Sequence, residues 1–167
     1  RQPRRLRLLL GKYLSMISFA ILLVSVSAIT GVGTAFALAG RANVATAAWS
    51  GHDALIVLSQ TYANVLIATI GYGTIGMILG LLFRSPIISI SVGTGFLLVF
   101  ESILSIAWKE SAPWLPGNLL SIVASGGNNQ SLNISLDYSQ ALLRISIYIV
   151  IAAIAAATLF KRRDVAN

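Results

Sequence analysis

The chain has 167 residues, of which 56% are hydrophobic and only 10% are charged, and its mean hydropathy is +0.83. Ordinary soluble domains carry roughly 25% charged residues, so the composition indicates an integral membrane protein. The lack of cysteine excludes disulfides, thiolate zinc sites and thiol catalysis. The net charge of +7 comes with no basic stripe interleaved with aromatic residues, which argues against a nucleic-acid partner.

Four apolar segments are long enough to cross a bilayer, since a helical span needs about 20 residues. They predict an all-α integral membrane fold, with a transmembrane domain at 13–160 built as a bundle of four helices over 13–39, 54–83, 86–108 and 140–160. A secretory signal peptide is the alternative interpretation of the first segment. Its apolar run is longer than the usual signal core, and no clear cleavage site follows it.

The basic residues predict the orientation of these spans. Four spans place both termini on one side, together with the short link between the second and third spans. That side holds nine of the 12 basic residues: Arg1, Arg4, Arg5, Arg7, Lys12, Arg84, Lys161, Arg162 and Arg163. The other side holds three: Arg41, Lys109 and Arg144. The positive-inside rule therefore predicts a multi-pass membrane protein with the segment 1–12 and the tail 161–167 in the cytoplasm. The expected location is the cell (plasma or inner) membrane.

The two predicted outer loops differ in length and content. The first, 40–53, is a short polar connection. The second, 109–139, contains the segment PWLPGNLLSIVA, which is too short to span a membrane. Proline is favoured in the first turn of a helix, so a proline in this segment predicts the start of a short re-entrant or interfacial outer helix.

The stretch GYGTIG, residues 71–76, matches the dinucleotide fingerprint G-x-G-x-x-G. That fingerprint binds a nucleotide only between a strand and a helix, and here it lies within an apolar span. The spacing of three and four residues instead predicts a helix-packing face formed by Gly73, Gly76 and Gly80, because small residues let helix backbones approach closely in lipid. The glycines could pack a rigid bundle or mark helices that slide.

Two charged residues fall at membrane depth. A charge near the bilayer centre costs about 2.5–3.5 kcal/mol on insertion scales, so Glu101 is expected to face protein or a water-filled cavity. Arg144 enters the last span from the outer side at a similar depth. We expect either that Glu101 and Arg144 form an intramembrane charged pair or that Glu101 lines a substrate or proton pathway.

The sequence predicts no catalytic, cofactor-binding or metal-binding residues. The single histidine, His52, cannot form a histidine metal cluster or a defined catalytic triad by itself. A G-x-x-x-x-G-K-[ST] motif for ATP is also missing.

The order of features resembles the permeases of ABC-type exporters of the second class, over nearly the whole chain. RQPRRLRLLLGKYL is similar to the cytoplasmic segment before their third helix, and GLLFRSPIISISVG to the hairpin of their fourth and fifth helices. WLPGNLLSIV resembles the outer segment after the fifth helix, and LFKRRDV resembles their C-terminal ending. Members usually have six helices, so the resemblance implies the C-terminal portion of such a permease, with two more helices upstream.

The resemblance implies a transmembrane subunit that does no covalent chemistry. Two permease subunits, as a homodimer or heterodimer, would form the pathway, and separate ABC ATPase subunits would bind ATP and Mg²⁺. Arg4, Arg5 and Arg7 are then the candidates for cytoplasmic contacts with the ATPase, or they anchor to anionic membrane lipid at roughly 1 kcal/mol each. The family handles several substrate classes, and no residue here selects one.

Two rival functions remain open at this point. The chain could be a small non-catalytic membrane scaffold or assembly subunit packed through its glycine-rich helices. An integral-membrane enzyme is the other rival, and the shortage of His, Asp and Glu at membrane depth argues against it.

Overall fold

The computed structural model describes the backbone of residues 3–83, 85–127 and 136–163, and the side chains of 10–47, 49–83, 85–127, 136–155 and 158. Within these ranges the regular structure is entirely helical. Four helices are long and apolar enough to cross a membrane, which confirms the predicted fold class: Leu10–Ala39, His52–Phe83, Pro86–Ala107 and Tyr138–Ala155.

The chain divides into two compact units, Arg1–Ile70 and Gly71–Asn167. The first unit contains helix α1 at Pro3–Ala39, a 3₁₀ turn at Ala47–Trp49 and the first part of helix α2, which covers His52–Phe83. At 37 residues α1 is about 55 Å long. The helix thus begins ten residues before the predicted span, and the basic N-terminal segment from Pro3 is helical.

Side chains of α1 contact both α2 and the 3₁₀ turn within the first unit. The hydroxyl groups of Ser25 and Tyr62 lie 2.8 Å apart and form a hydrogen bond between α1 and α2. The rings of Phe36 and Trp49 pack edge to face with centroids 5.3 Å apart. Large apolar side chains along α1 remain exposed, as at Ile29, which is 71% exposed. Such surfaces are those of a protein whose solvent is lipid.

The second unit begins with the part of α2 from Gly71 onward, and the chain reverses its direction at Ser85. The Ser85 hydroxyl accepts a hydrogen bond from the backbone N–H of Ile88, and Pro86 occupies the first turn, so this helix start is capped. The buried Ser89 hydroxyl lies 2.7 Å from the carbonyl of Ser85 in its own helix and 3.2 Å from the carbonyl of Leu79, so its single proton is shared between a contact within the helix and one across the hairpin. A Cβ on Gly93 would lie 3.1 Å from the Leu79 side chain, so the arms approach closely there.

The third span is a continuous helical segment with an irregular centre. Helix α3 covers Pro86–Thr94, a π-helical segment covers Gly95–Phe100, and helix α4 covers Glu101–Ala107. The sequence predicted one helical span over 86–108 and did not predict this interruption. The π turn widens the backbone by one residue per turn and changes the direction of the side chains that follow it.

Two short elements and the last span complete the second unit. A 3₁₀ segment covers Lys109–Trp114, helix α5 covers Pro116–Ala124, and helix α6 covers Tyr138–Arg163. The predicted short helix after the third span is therefore present and starts at its proline. Its apolar side chains form the core of the unit with residues of α6 and a leucine two residues before that helix: Leu119, Leu120, Ile122, Val123, Leu136, Ala141 and Ile145.

The predicted glycine face is not the place of closest packing. A Cβ added to Gly76 or Gly80 would meet nothing within 4 Å, and both residues are exposed. The close approach is at Gly71, where an added Cβ would lie 2.5 Å from a methyl group of Leu120. Gly73 is half-buried on the same helix. The closely packed glycine is therefore the one that faces α5. Glycine spacing alone could not predict which residue of α2 lies against α5.

Candidate functional site

Glu101 is 2% exposed and caps the start of helix α5. Its Oε1 accepts a hydrogen bond from the backbone N–H of Gly117 at 3.0 Å, and its Oε2 accepts one from Asn118 at 3.3 Å. Because α5 begins at Pro116, these N–H groups belong to its first turn and have no partner within the helix. The residue before the helix, Leu115, has no side chain that could cap it. A carboxylate from α4 therefore replaces the local cap and lies at the positive end of the helix dipole.

Gly117 permits this contact because it has no side chain. A Cβ at this position would lie 2.6 Å from Oε2 of Glu101 and 3.3 Å from the side chain of Leu97. The carbonyl of Gly117 accepts a hydrogen bond from the Tyr72 hydroxyl at 3.1 Å. The same residue is therefore held from two helices, through its N–H by α4 and through its C=O by α2.

Asn118 fixes the orientation of α5 with its side chain. Its Nδ2 donates to the Ser105 hydroxyl at 2.9 Å and to the carbonyl of Ala112 at 3.1 Å. These acceptors lie on α4 and on the 3₁₀ segment. With the contacts of Glu101 and Tyr72, hydrogen bonds join the first turn of α5 to α2, α4 and the 3₁₀ segment.

The π-helical segment ends directly before Glu101. The backbone N–H of Glu101 donates to the carbonyl of Phe96, five residues earlier, as a π turn requires. Phe96 and Phe100 stack along this segment with ring centroids 5.3 Å apart. Single π turns within α-helices occur frequently at functional sites, where they redirect a side chain. Here the redirected side chain is the buried carboxylate.

Arg144 on α6 also binds the segment that contains α5, at two residues that precede this helix. Its Nη1 donates to the carbonyl of Pro113 at 2.8 Å, and its guanidinium lies 4.2 Å from the centre of the Trp114 ring. The predicted pair with Glu101 is wrong, since each charged group has its own partners and no ion pair joins them among the described residues. The physical reason is that groups of the 109–124 segment bind each charged side chain separately: backbone N–H groups donate to the carboxylate, and a carbonyl and an aromatic face attract the cation.

A cavity of about 720 Å³ opens beside Glu101, and all of its lining residues belong to the second unit. One wall comes from α2, one from α3 with the π segment and the start of α4, and one from the first turns of α5. The lining residues are Tyr72, Ile75, Gly76, Leu79, Ser89, Ile90, Gly93, Thr94, Leu97, Leu98, Glu101, Ser102, Gly117, Asn118 and Ser121. A mostly apolar cavity of this size that also has several polar groups in its wall is typical of a small-molecule site.

A family model for proteins of unknown function, DUF2705, matches residues 1–166. The chain belongs to the DUF2705 family. Neither the curated proteins nor the solved structures contain a significant match to it.

The cavity brings together a subset of the residues that the sequence of this DUF2705 protein singled out. Glu101 and Gly76 line it, whereas Arg144 and Gly80 do not. The side chains of Arg4, Arg5 and Arg7 lie outside the described residues, and so do residues 164–167 of the predicted cytoplasmic tail.

Sequence reasoning about this DUF2705 chain missed Tyr72, Gly117 and Asn118. The dipeptide Gly117–Asn118 directly after the helix-opening proline was a usable signal, since a helix without a local cap needs an acceptor from elsewhere. Glu101 was the one acidic residue available at membrane depth. No pattern in the sequence singled out Tyr72, whose hydroxyl reaches a backbone carbonyl 45 residues away.

Proposed function

We propose that this chain is the transmembrane permease subunit of an ATP-driven exporter of the second ABC class. The carrying observation is the short buried helix α5 directly after the third span, tied by its first turn to the spans around it. It stands where the resembled permeases have an outer segment after their fifth helix. A chain that only packed lipid-facing helices would not require a polar, multiply anchored segment beside a cavity.

In this proposal the chain binds and moves a substrate and does not react with it. Two permease subunits form the pathway in the cell membrane, and both ends of the present chain lie in the cytoplasm. Separate ATPase subunits bind ATP and Mg²⁺, associate, and shift the helices between two states. The basic residues Arg4, Arg5 and Arg7 contact the ATPase or the anionic lipid beside it.

Co-purification tests the proposal most directly. The protein is tagged at its own genomic locus, extracted in mild detergent and isolated with whatever assembles on it. We expect an ABC ATPase, encoded next to the permease, in a fixed ratio with it, and ATP hydrolysis that vanadate inhibits. A folded protein that purifies repeatedly without an ATPase contradicts the exporter and favours the membrane scaffold.

The lack of native cysteine allows a second test of the proposed orientation. Single cysteines are introduced in the first loop, Ser50→Cys, and in the tail, Ala166→Cys. A membrane-impermeant maleimide added to intact cells is expected to label the first variant and to label the second only after the cells are opened. Labelling of Ala166→Cys in intact cells would contradict the cytoplasmic location of the C-terminus.

A further inference from the structure

The carboxylate of Glu101 borders the cavity without a counter-ion among the described residues. Its two partners are backbone N–H groups, and these compensate only part of a full negative charge, since a helix start carries roughly half a positive charge. Arg144, the basic side chain that was expected to pair with it, is bound to Pro113 and Trp114 instead. Burial of a charged group costs much free energy unless the group is both hydrogen-bonded and paired with an opposite charge, so a cation bound beside Glu101 would supply the missing partner.

The remainder of the cavity wall is predominantly apolar. Ile75 and Leu79 come from α2, and Leu97 and Leu98 come from the π segment. The volume of about 720 Å³ lies in the range of sites that bury drug-sized ligands. The wall therefore suits a molecule with an apolar body, and the single carboxylate at one end suits a molecule with a positive head.

We propose that this cavity binds a small amphipathic cation, with its positive group beside Glu101 and its apolar body against the leucine and isoleucine side chains. Anionic ligands are disfavoured by the like charge, and a neutral acyl chain makes no use of the carboxylate. The claim that such a cation is the substrate of an exporter rests on the proposed function. The claim that the cavity binds such a cation depends on the cavity alone.

Two probe ions of nearly the same shape and opposite charge test the charge preference. Tetraphenylphosphonium and tetraphenylborate are each dialysed against the full chain in nanodiscs of zwitterionic phosphatidylcholine, and binding to empty nanodiscs is subtracted. We expect saturable binding of the cation and none of the anion. Glu101→Gln is expected to weaken cation binding at least tenfold, which corresponds to about 1.4 kcal/mol. Glu110→Gln removes the same charge from an exposed position outside the cavity and is expected to leave binding unchanged.

Two glycine substitutions test the location. Gly76 lines the cavity and Gly80 does not, although they lie one turn apart on α2 and an added Cβ would meet nothing within 4 Å at either. Gly76→Leu fills the cavity and is expected to weaken cation binding at least tenfold. Gly80→Leu adds the same side chain one turn away and is expected to bind as the wild type does.

Equal saturable binding of both ions, or binding of neither, would overturn the proposal and indicate a lipid chain or a second copy of this chain as the occupant. Equal affinities of the two glycine variants would overturn the location. Should Glu101→Gln fail to fold, the comparison of the two ions and the glycine pair still decide the matter. None of these measurements needs an ATPase, so a failed site and a failed exporter assignment give different results.

Discussion

Helices α1 and α5 show two ways in which an apolar sequence is accommodated. Helix α1 has 37 residues and leaves most of its large side chains exposed, whereas α5 has nine and buries Leu119, Leu120, Ile122 and Val123 to 1% exposure or less. Both are rich in apolar residues, so hydrophobicity does not separate them. In lipid an apolar side chain gains little by leaving the solvent, and polar anchors and close packing decide which helix becomes the core.

Removing the anchor of α5 should have the largest effect. Glu101→Ala leaves two partly buried N–H groups without an acceptor, at about 1–3 kcal/mol for each fully buried group, so we expect a loss of about 3 kcal/mol in the free energy of unfolding. Glu101→Gln retains one acceptor oxygen and should lose less. Unfolding in mixed micelles of a mild detergent and dodecyl sulfate measures both. Stability like that of the wild type in Glu101→Ala would mean that the carboxylate does not hold α5.

Truncating one leucine in each helix compares the two environments directly. Leu119 is fully buried in α5, and Leu14 on α1 is 62% exposed. Leu119→Ala should cost about 2 kcal/mol because it leaves a cavity in a packed core. Leu14→Ala should change the unfolding free energy by less than about 0.5 kcal/mol, as surface substitutions do. Similar losses of unfolding free energy for the two variants would show that α1 is packed against other protein surfaces as α5 is.

Adding one methyl group to a glycine should act in opposite directions in the two helices. Gly117→Ala places a Cβ against Glu101 and must displace a carboxylate held by two hydrogen bonds, for which we expect a loss of about 2 kcal/mol. Gly33 in α1 has open space around it, so Gly33→Ala should gain up to about 1 kcal/mol of helix propensity. The same micelle unfolding distinguishes the signs. A stabilised Gly117→Ala would contradict the close contact.

Arg144 is the second side chain that holds the 109–124 segment. A substitution that keeps its charge but changes its shape tests this role. Arg144→Lys keeps a cation but not the planar group that covers Trp114 and reaches Pro113. We expect a loss of about 1 kcal/mol, accompanied by a change in tryptophan fluorescence near this loop. Arg41→Lys, in the first unit, is the control. An unchanged emission spectrum together with unchanged stability would show that Arg144 does not hold the segment.

The contrast between α1 and α5 also explains what the sequence could predict. The long spans follow from hydropathy and length, which act locally, and the start of α5 follows from Pro116. The partners of the charges did not follow, because opposite charges at similar depth favoured a Glu101–Arg144 pair. The structure instead satisfies each with the backbone of a segment between them in sequence. The sequence around a helix start can show that its N–H groups need an acceptor, but it does not show which distant side chain supplies that acceptor.

An exposed acidic residue lies at the start of α6, just as the buried Glu101 lies at the start of α5. Asp137 precedes this helix, and hydrogen bonds from the Ser139 hydroxyl and from nearby backbone N–H groups lower the pKa of its carboxyl below the ordinary value. A lowered pKa in the folded state means that the carboxylate stabilises the fold above its ordinary pKa, and that this contribution is lost as the pH falls through the lowered value. We therefore expect the wild type to lose stability relative to Asp137→Asn, which cannot titrate, as the pH falls from about 5 through the ordinary Asp pKa of about 3.9 and below it. Thermal unfolding of both proteins in the same detergent across this pH range measures the difference, and parallel curves would show that the Asp137 carboxylate contributes nothing to the start of α6.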